Sequence, residues 1–159
     1  MIQRIQTVYL FALFAIGLIL IWQDPVYAYF DAANEQGSYV LMYWNSYSGT
    51  SPGKPVIYIP DTMTILISIA AMAVGVISIF FYKNRKFQMR MVLSSLMLCV
   101  LLECVLLARY YIFQAGHDDF RGHLGIPLIW PVLMSISAVM AYRGIKADEE
   151  MVRSMDRIR

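Results

Sequence analysis

Four long apolar runs, 7–22, 63–82, 91–113 and 126–142, constrain this chain more than any other feature of its sequence. At 1.5 Å rise per residue, about 17 to 25 apolar residues cross a hydrocarbon core of ~30 Å, and each run is close to that length. The first and last are the shortest. Hydrophobic residues fill 59% of the 159 positions and charged residues only 15%. Average soluble domains hold roughly 45–50% and about 25%. A water-soluble fold of this size has no interior large enough for so much apolar matter, so lipid is the expected solvent. Tyr9, Trp22, Tyr82, Tyr110, Tyr111, Trp130 and Tyr142 lie at or near the ends of the runs, where amphipathic rings favour the headgroup zone.

The basic residues give an orientation. Arg4 precedes the first run, Lys83, Arg85, Lys86 and Arg90 fill the turn between the second and third, and Arg143, Lys146, Arg153, Arg157 and Arg159 follow the fourth. Ten of the thirteen Lys and Arg thus share one side, against Lys54 and Arg121 in the opposite loops and Arg109 within the outer part of the third run. The positive-inside rule then puts both termini in the cytoplasm. With a net charge of only +2 and its basic residues tied to run ends, nucleic-acid binding has no support.

The start admits a rival reading. Met1 to Ala28 resembles a signal peptide, with Arg4, an apolar core and Val26-Tyr27-Ala28 as a cleavage site. Retention as a span is the preferred reading, because the apolar core is long for a signal peptide and Asp24-Pro25 intrudes before the site.

Segment 23–61 is too long for a simple turn. Its Tyr-, Val- and Ile-rich stretches 38–44 and 56–59 read as strands, and Gly49, Pro52, Gly53 and Pro55 between them read as turn formers. A small extracytoplasmic β-hairpin over the outer mouth of the helices is expected. The second outer connection, 115–125, is short and polar. In the fourth run Pro131 removes the bond to the Pro127 carbonyl, so a kink is expected there. Beyond Tyr142, segment 143–159 reads as a cytoplasmic helical tail, with Glu149 and Arg153 spaced as an i,i+4 pair. The expected fold class is an all-α membrane protein, a four-transmembrane-helix bundle of a single domain with that hairpin and that tail.

Glu103 is the most informative single residue, because an ionisable group near the middle of a span costs at least ~2.5 to 3.5 kcal/mol. It is expected to face inward on a stripe with Ser95, Cys99, Tyr110 and Gln114. A neutral carboxylic acid that hydrogen-bonds helices together is the favoured reading, and a proton relay or cation site is the alternative. Arg109, six residues on, lies on a different face and is expected to reach the outer headgroups or meet Asp118 or Asp119. His117, Asp118, Asp119 and His123 have zinc-ligand chemistry but match no established spacing, so a solvated polar turn is preferred and no metal is expected. Cys99 and Cys104, five apart, fall on different helix faces and should not pair. No nucleophile triad, phosphate-cradling loop, HExxH or GxSxG occurs, and neither catalysis nor a cofactor is expected.

The chain opens with Met1-Ile2-Gln3-Arg4-Ile5-Gln6-Thr7-Val8-Tyr9-Leu10 and closes on Val152-Arg153-Ser154-Met155-Asp156-Arg157-Ile158-Arg159. Both ends resemble those of a family of Bacteroidota membrane proteins, domain of unknown function 4293, and the likeness extends over the four-run layout. The resemblance implies the inner membrane of a Gram-negative bacterium and carries over no catalytic residue. Arg4, Arg153, Arg157 and Arg159 share the cytoplasmic side, where topology anchoring is the first reading and contact with anionic lipid or a docked partner the second. The expected role is a noncatalytic scaffold or accessory subunit whose partners are membrane lipids and another membrane protein or a second copy. A small transporter using Glu103 is the alternative.

Overall fold

Each apolar run forms an α-helix whose start follows from local chemistry. The computed structural model describes residues 3–23, 25–32, 38–50, 57–117 and 119–156. In it α1 is Gln3–Gln23, α2 Thr62–Phe80, α3 Arg85–Gly116 and α4 Ile129–Asp156. The side chain of Asp61 accepts the Met63 N–H at 3.2 Å and caps α2. Asn84 does the same for α3 through the Phe87 N–H at 3.2 Å, satisfying donors that have no partner inside the helix. All four helices are long and apolar enough to cross a membrane. The expected tail is the continuation of α4, helical through Asp156. Pro127 lies in a 3-10 turn, Ile126–Leu128, and Pro131 in the first turn of α4. No intrahelical bond is lost there, so the expected kink reduces to a change of helix type just ahead of α4.

The helices pack in sequence around a shared core: α1 chiefly on α4, α4 on α3, α3 on α2, with a thinner α1–α2 seam. Three buried layers stack along them. Leu10, Val92, Ala141 and Ile145 form one end, Leu13, Met72, Cys99, Met134 and Ala138 the middle, and Leu20, Leu102 and Leu106 the other end. Gly17 makes the middle layer possible, since a Cβ there would stand 2.6 Å from Met72 Cγ and Sδ. α1 contributes to every layer, so cleavage after Ala28 would remove a core helix.

The connections are more ordered than the sequence implies. A five-stranded antiparallel sheet, in the order β4-β3-β2-β1-β5, replaces the expected hairpin. Its strands are β1 (Val26–Ala32), β2 (Tyr39–Tyr43), β3 (Ser46–Thr50), β4 (Ile57–Pro60) and β5 (Phe120–Leu124). The two expected strands exist as β2 and β4 but do not pair with each other, because β3 lies between them. β3 occupies part of the stretch read as turn. β1 contains the residues read as a cleavage site, and β5 takes up Phe120–Leu124 of the loop read as a solvated turn. β1 pairs with β5 from Ala28 opposite Leu124 to Ala32 opposite Phe120. That pairing brings the connection from α1 to α2 and the connection from α3 to α4 to the same end of the helices.

The sheet rests on the helix ends through Tyr27, Ala28, Phe30, Met42 and Trp44, all buried with Leu20, Leu102 and Leu106. A bulge between Val26 and Ala28 turns Tyr27 inward beside its buried neighbour. Phe30 meets Phe113 and Tyr110 of α3 at ring-centroid distances of 4.5 and 5.2 Å. Gln114 Nε2 donates to the Phe120 carbonyl at 2.9 Å, tying α3 to β5. Gly122, opposite Phe30 in β5, leaves no room for a side chain. A Cβ there would stand 2.5 Å from Gln114 Oε1 and 2.7 Å from both Phe30 Cε1 and Tyr110 Oη. Gly122→Ala is expected to cost about 1–3 kcal/mol in denaturant unfolding of the detergent-solubilised protein. Gly116→Ala, with nothing within 4 Å of the new atom, should cost nothing measurable.

Candidate functional site

The densest polar constellation lies where the sheet meets the helices, and it is built around Arg109. α3 carries this guanidinium into a layer that is otherwise apolar, so it requires an anion. Asp61 supplies it: Arg109 Nη1 lies 2.8 Å from Asp61 Oδ2, and both side chains are largely buried. The same carboxylate caps α2 and accepts the Thr64 hydroxyl. Arg109 Nη1 also donates to Thr64 Oγ1 at 3.4 Å, and its guanidinium carbon stands 5.8 Å from the centroid of the Tyr47 ring. The Asp61 N–H donates to the Asn45 carbonyl at 2.5 Å, which joins α2 to the β2–β3 connection. Arg109 Nη2 is buried with no hydrogen-bond partner among the described residues.

Tyr27 completes the cluster from β1. Its hydroxyl contacts Met42 Sδ at 3.5 Å. Burial pushes its phenol up to about 12, with Arg109 pulling down and Asp61 pushing up. On the opposite face of the sheet, Asp31 bonds Tyr29 and holds that phenol above its ordinary range.

The Asp61–Arg109 pair is not among the sequence expectations, which give Arg109 to the headgroups or to Asp118 or Asp119. The correction has a simple cause. Asp61 sits at the start of α2, and antiparallel α2 and α3 bring that end beside Arg109. The signal was there: an arginine inside an apolar run needs a counter-ion, and Asp61 is the acid that flanks the preceding run.

The expected stripe on α3 holds in part. Ser95 and Cys99 are buried, and Ser95 Oγ donates to the Ala71 carbonyl of α2 at 2.8 Å. Tyr110 packs on Phe30 beneath the sheet. Glu103 is partly buried, and its Oε2 is enclosed without a hydrogen-bond partner among the described residues. Among the described residues, that oxygen has no helix-to-helix hydrogen bond of the kind expected. Cys104 is exposed while Cys99 is buried, and both are free. The hydroxyls of Ser68, Ser78 and Ser137 bond carbonyls one turn back in their own helices.

His117 stacks on Phe113, its ring centroid 4.4 Å away, and its Nδ1 lies 3.1 Å from the Phe113 carbonyl. His123 is exposed on β5, and Asp118 lies outside the described residues. Among the described residues, no three His, Cys, Asp or Glu side chains gather as a metal site. Arg157 and Arg159 lie outside the described residues, as do the side chains of Arg4 and Arg153.

A family model described as Domain of unknown function (DUF4293) matches residues 2–158. The chain belongs to this family. The DUF4293 match spans all four helices and the whole sheet, so the Asp61–Arg109 cluster falls within the family's own boundaries. No curated protein matches the chain.

Two measurements test this geometry. Asp61→Asn, which keeps a capping side chain but removes the charge, and Arg109→Met should each cost about 3 kcal/mol in denaturant unfolding. The double variant should cost well under their sum, and additive losses would contradict the pairing. The second concerns alkaline pH. Folded Tyr27 keeps its proton up to about 12 while the unfolded chain releases it near 10, so the folded state binds more protons in that window and loses stability as pH rises. Two units correspond to roughly 3 kcal/mol. Tyr27→Phe should flatten the decline between pH 10 and 12.

Proposed function

We propose that the chain is a multispanning protein of a bacterial inner membrane, with both termini cytoplasmic and the sheet outside, that serves as a noncatalytic scaffold or accessory subunit. The observation that carries the membrane reading is the distribution of apolar side chains. They fill the core, yet Val8, Phe11, Leu66, Ile69, Met97 and Leu101 are also exposed on outward helix faces. A helix of a water-soluble protein turns a polar face outward; lipid makes an all-apolar helix favourable. The orientation rests on charge. Lys83, Arg85, Lys86 and Arg90 lie at the end of the helices opposite the sheet, as does the charged end of α4. The likeness of the chain's ends to Bacteroidota sequences supports an inner membrane.

The accessory role rests on the outward face of the sheet. Register puts Tyr29 opposite Leu41 and His123, and Asp31 opposite Tyr39 and Arg121. Tyr29 and Tyr39 are exposed with ring centroids 6.1 Å apart. Ordered aromatic rings beside charged groups, held on a preformed sheet, suit a protein partner. Arg4, Arg153, Arg157 and Arg159 offer a second contact on the cytoplasmic side, worth roughly 1 kcal/mol each against anionic headgroups.

One observation favours the alternative, a small proton-coupled transporter. The enclosed Glu103 Oε2, without a partner among the described residues, is the kind of costly intramembrane group that marks a pathway. The hydroxyls of Ser68, Ser78 and Ser137 speak against it, because they bond their own helices instead of forming a file toward Glu103.

Purification in mild detergent from the native membrane distinguishes the two. The scaffold reading predicts a stoichiometric partner that is lost from Tyr29→Ser/Tyr39→Ser and kept by Glu103→Gln. A chain that purifies alone and drives a proton flux in vesicles, abolished by Glu103→Gln, would establish the transporter instead.

A further inference from the structure

The end of the helices opposite the sheet holds a cleft of about 570 Å³, within the ~300–1,000 Å³ of small-molecule sites. It lies along the thin α1–α2 seam and is closed behind by α3 and α4. Its walls are of two kinds. Val8, Phe11 and Ile79 line the apolar part, and Val8 and Phe11 are also exposed on the outward surface, so this part opens toward the surrounding lipid. Gln6, Arg85, Gln88 and Asp148 line the polar part.

The polar part is built and incomplete. Gln6 is only 4% exposed, and its Nε2 is buried with no hydrogen-bond partner among the described residues. The close approach of α4 that buries it depends on Gly144, where a Cβ would stand 2.9 Å from Gln6 Cγ. A buried amide donor without an acceptor costs about 1–3 kcal/mol; Gln6 lines the cleft, and a turn of its side chain would carry the enclosed Nε2 to a ligand oxygen there. Beside it Arg85 donates to the Asp148 carbonyl at 2.9 Å, and its Nη2 stands 4.0 Å from Asp148 Oδ2. The cleft thus presents a cation and a carboxylate side by side, with the enclosed Gln6 amide behind its wall and an apolar channel leading away from them.

We infer that this cleft binds one phosphoethanolamine-headed diacyl lipid of the cytoplasmic leaflet. The phosphate oxygens take Arg85 and the Gln6 amide, the primary ammonium takes Asp148, and an acyl chain runs along Phe11, Val8 and Ile79. The Arg85–Asp148 pair decides the headgroup. An anionic glycerol headgroup would set its phosphate beside Asp148 with no cation of its own to offset the carboxylate. A choline headgroup brings a cation with no N–H to donate. The inference rests on the membrane reading proposed above.

The test is native mass spectrometry of the full chain, delipidated in mild detergent and titrated with phosphatidylethanolamine, phosphatidylglycerol or phosphatidylcholine of identical acyl chains. One phosphatidylethanolamine should bind about tenfold more tightly than either of the others, the loss expected when a charge-assisted hydrogen bond goes unmade. Gln6→Leu and Arg85→Gln should each weaken it by a similar factor, and Asp148→Asn should erase the preference over phosphatidylglycerol. Equal binding of the three lipids by the unmodified chain overturns the inference and needs no variant to fold. Unchanged binding by Gln6→Leu, eluting as the unmodified chain does, overturns it as well. Carbonate extraction of native membranes separates the two levels. A chain that is washed off removes the membrane reading and this inference with it, whereas a chain that stays but shows no lipid preference removes the inference alone.

Discussion

A guanidinium carried into an apolar layer must be met by an anion, and the sheet end of this protein is arranged around how Asp61 meets Arg109. One carboxylate does three things at once: it caps α2, accepts the Thr64 hydroxyl and pairs with Arg109 of α3. Its own N–H ties α2 to the β2–β3 connection, and Tyr47 of β3 covers the guanidinium. The ion pair thereby fixes the sheet on the helices, and the apolar layer of Tyr27, Phe30, Met42, Trp44 and Leu106 closes around it. Such a pair adds little net stability over an apolar replacement of both partners, but breaking one half of it is costly. Its value here is register, because it specifies which helix end and which strand turn must coincide.

The two ends of the helices are therefore unlike. At the sheet end, the Asp61–Arg109 pair is enclosed and aromatic rings fill the space around it, with Arg109 Nη2 left without a partner among the described residues. At the opposite end, α1 and α2 stand apart, and the cleft between them has on its wall the Arg85–Asp148 pair and Gln6, whose Nε2 has no partner among the described residues. A protein with one sealed end and one open end has a natural division of labour. In the function proposed above, the sheet offers a fixed surface to a partner, and the cleft meets the lipid leaflet.

The helices were legible because their signal is local. A continuous apolar run of this length has one outcome, and Asp61 and Asn84 stand where caps are needed. The inward side of α3 could be read as well, since Ser95 and Cys99 follow from helical spacing. The sheet could be read only in part, since it depends on pairings distant in sequence. β5 reads Phe-Arg-Gly-His-Leu and carries no strand signature; it is a strand because β1 lies beside it and Gly122 lets Phe30 and Tyr110 close over it. β3 is small and polar, Ser-Tyr-Ser-Gly-Thr, and resembles a turn until β2 and β4 flank it. Asp61 is hard to read for a related reason: a lone acid at the edge of a run looks like loop until the antiparallel helix brings Arg109 to it.

Hydrogen exchange on the native, detergent-solubilised chain tests most directly whether sheet and helices form one unit through this cluster. The account predicts that amides of β1, β2 and β3 exchange as slowly as those in the adjoining ends of α2 and α3, and that all of them open together in denaturant. Fast exchange across the sheet while those helix ends stay protected would contradict it.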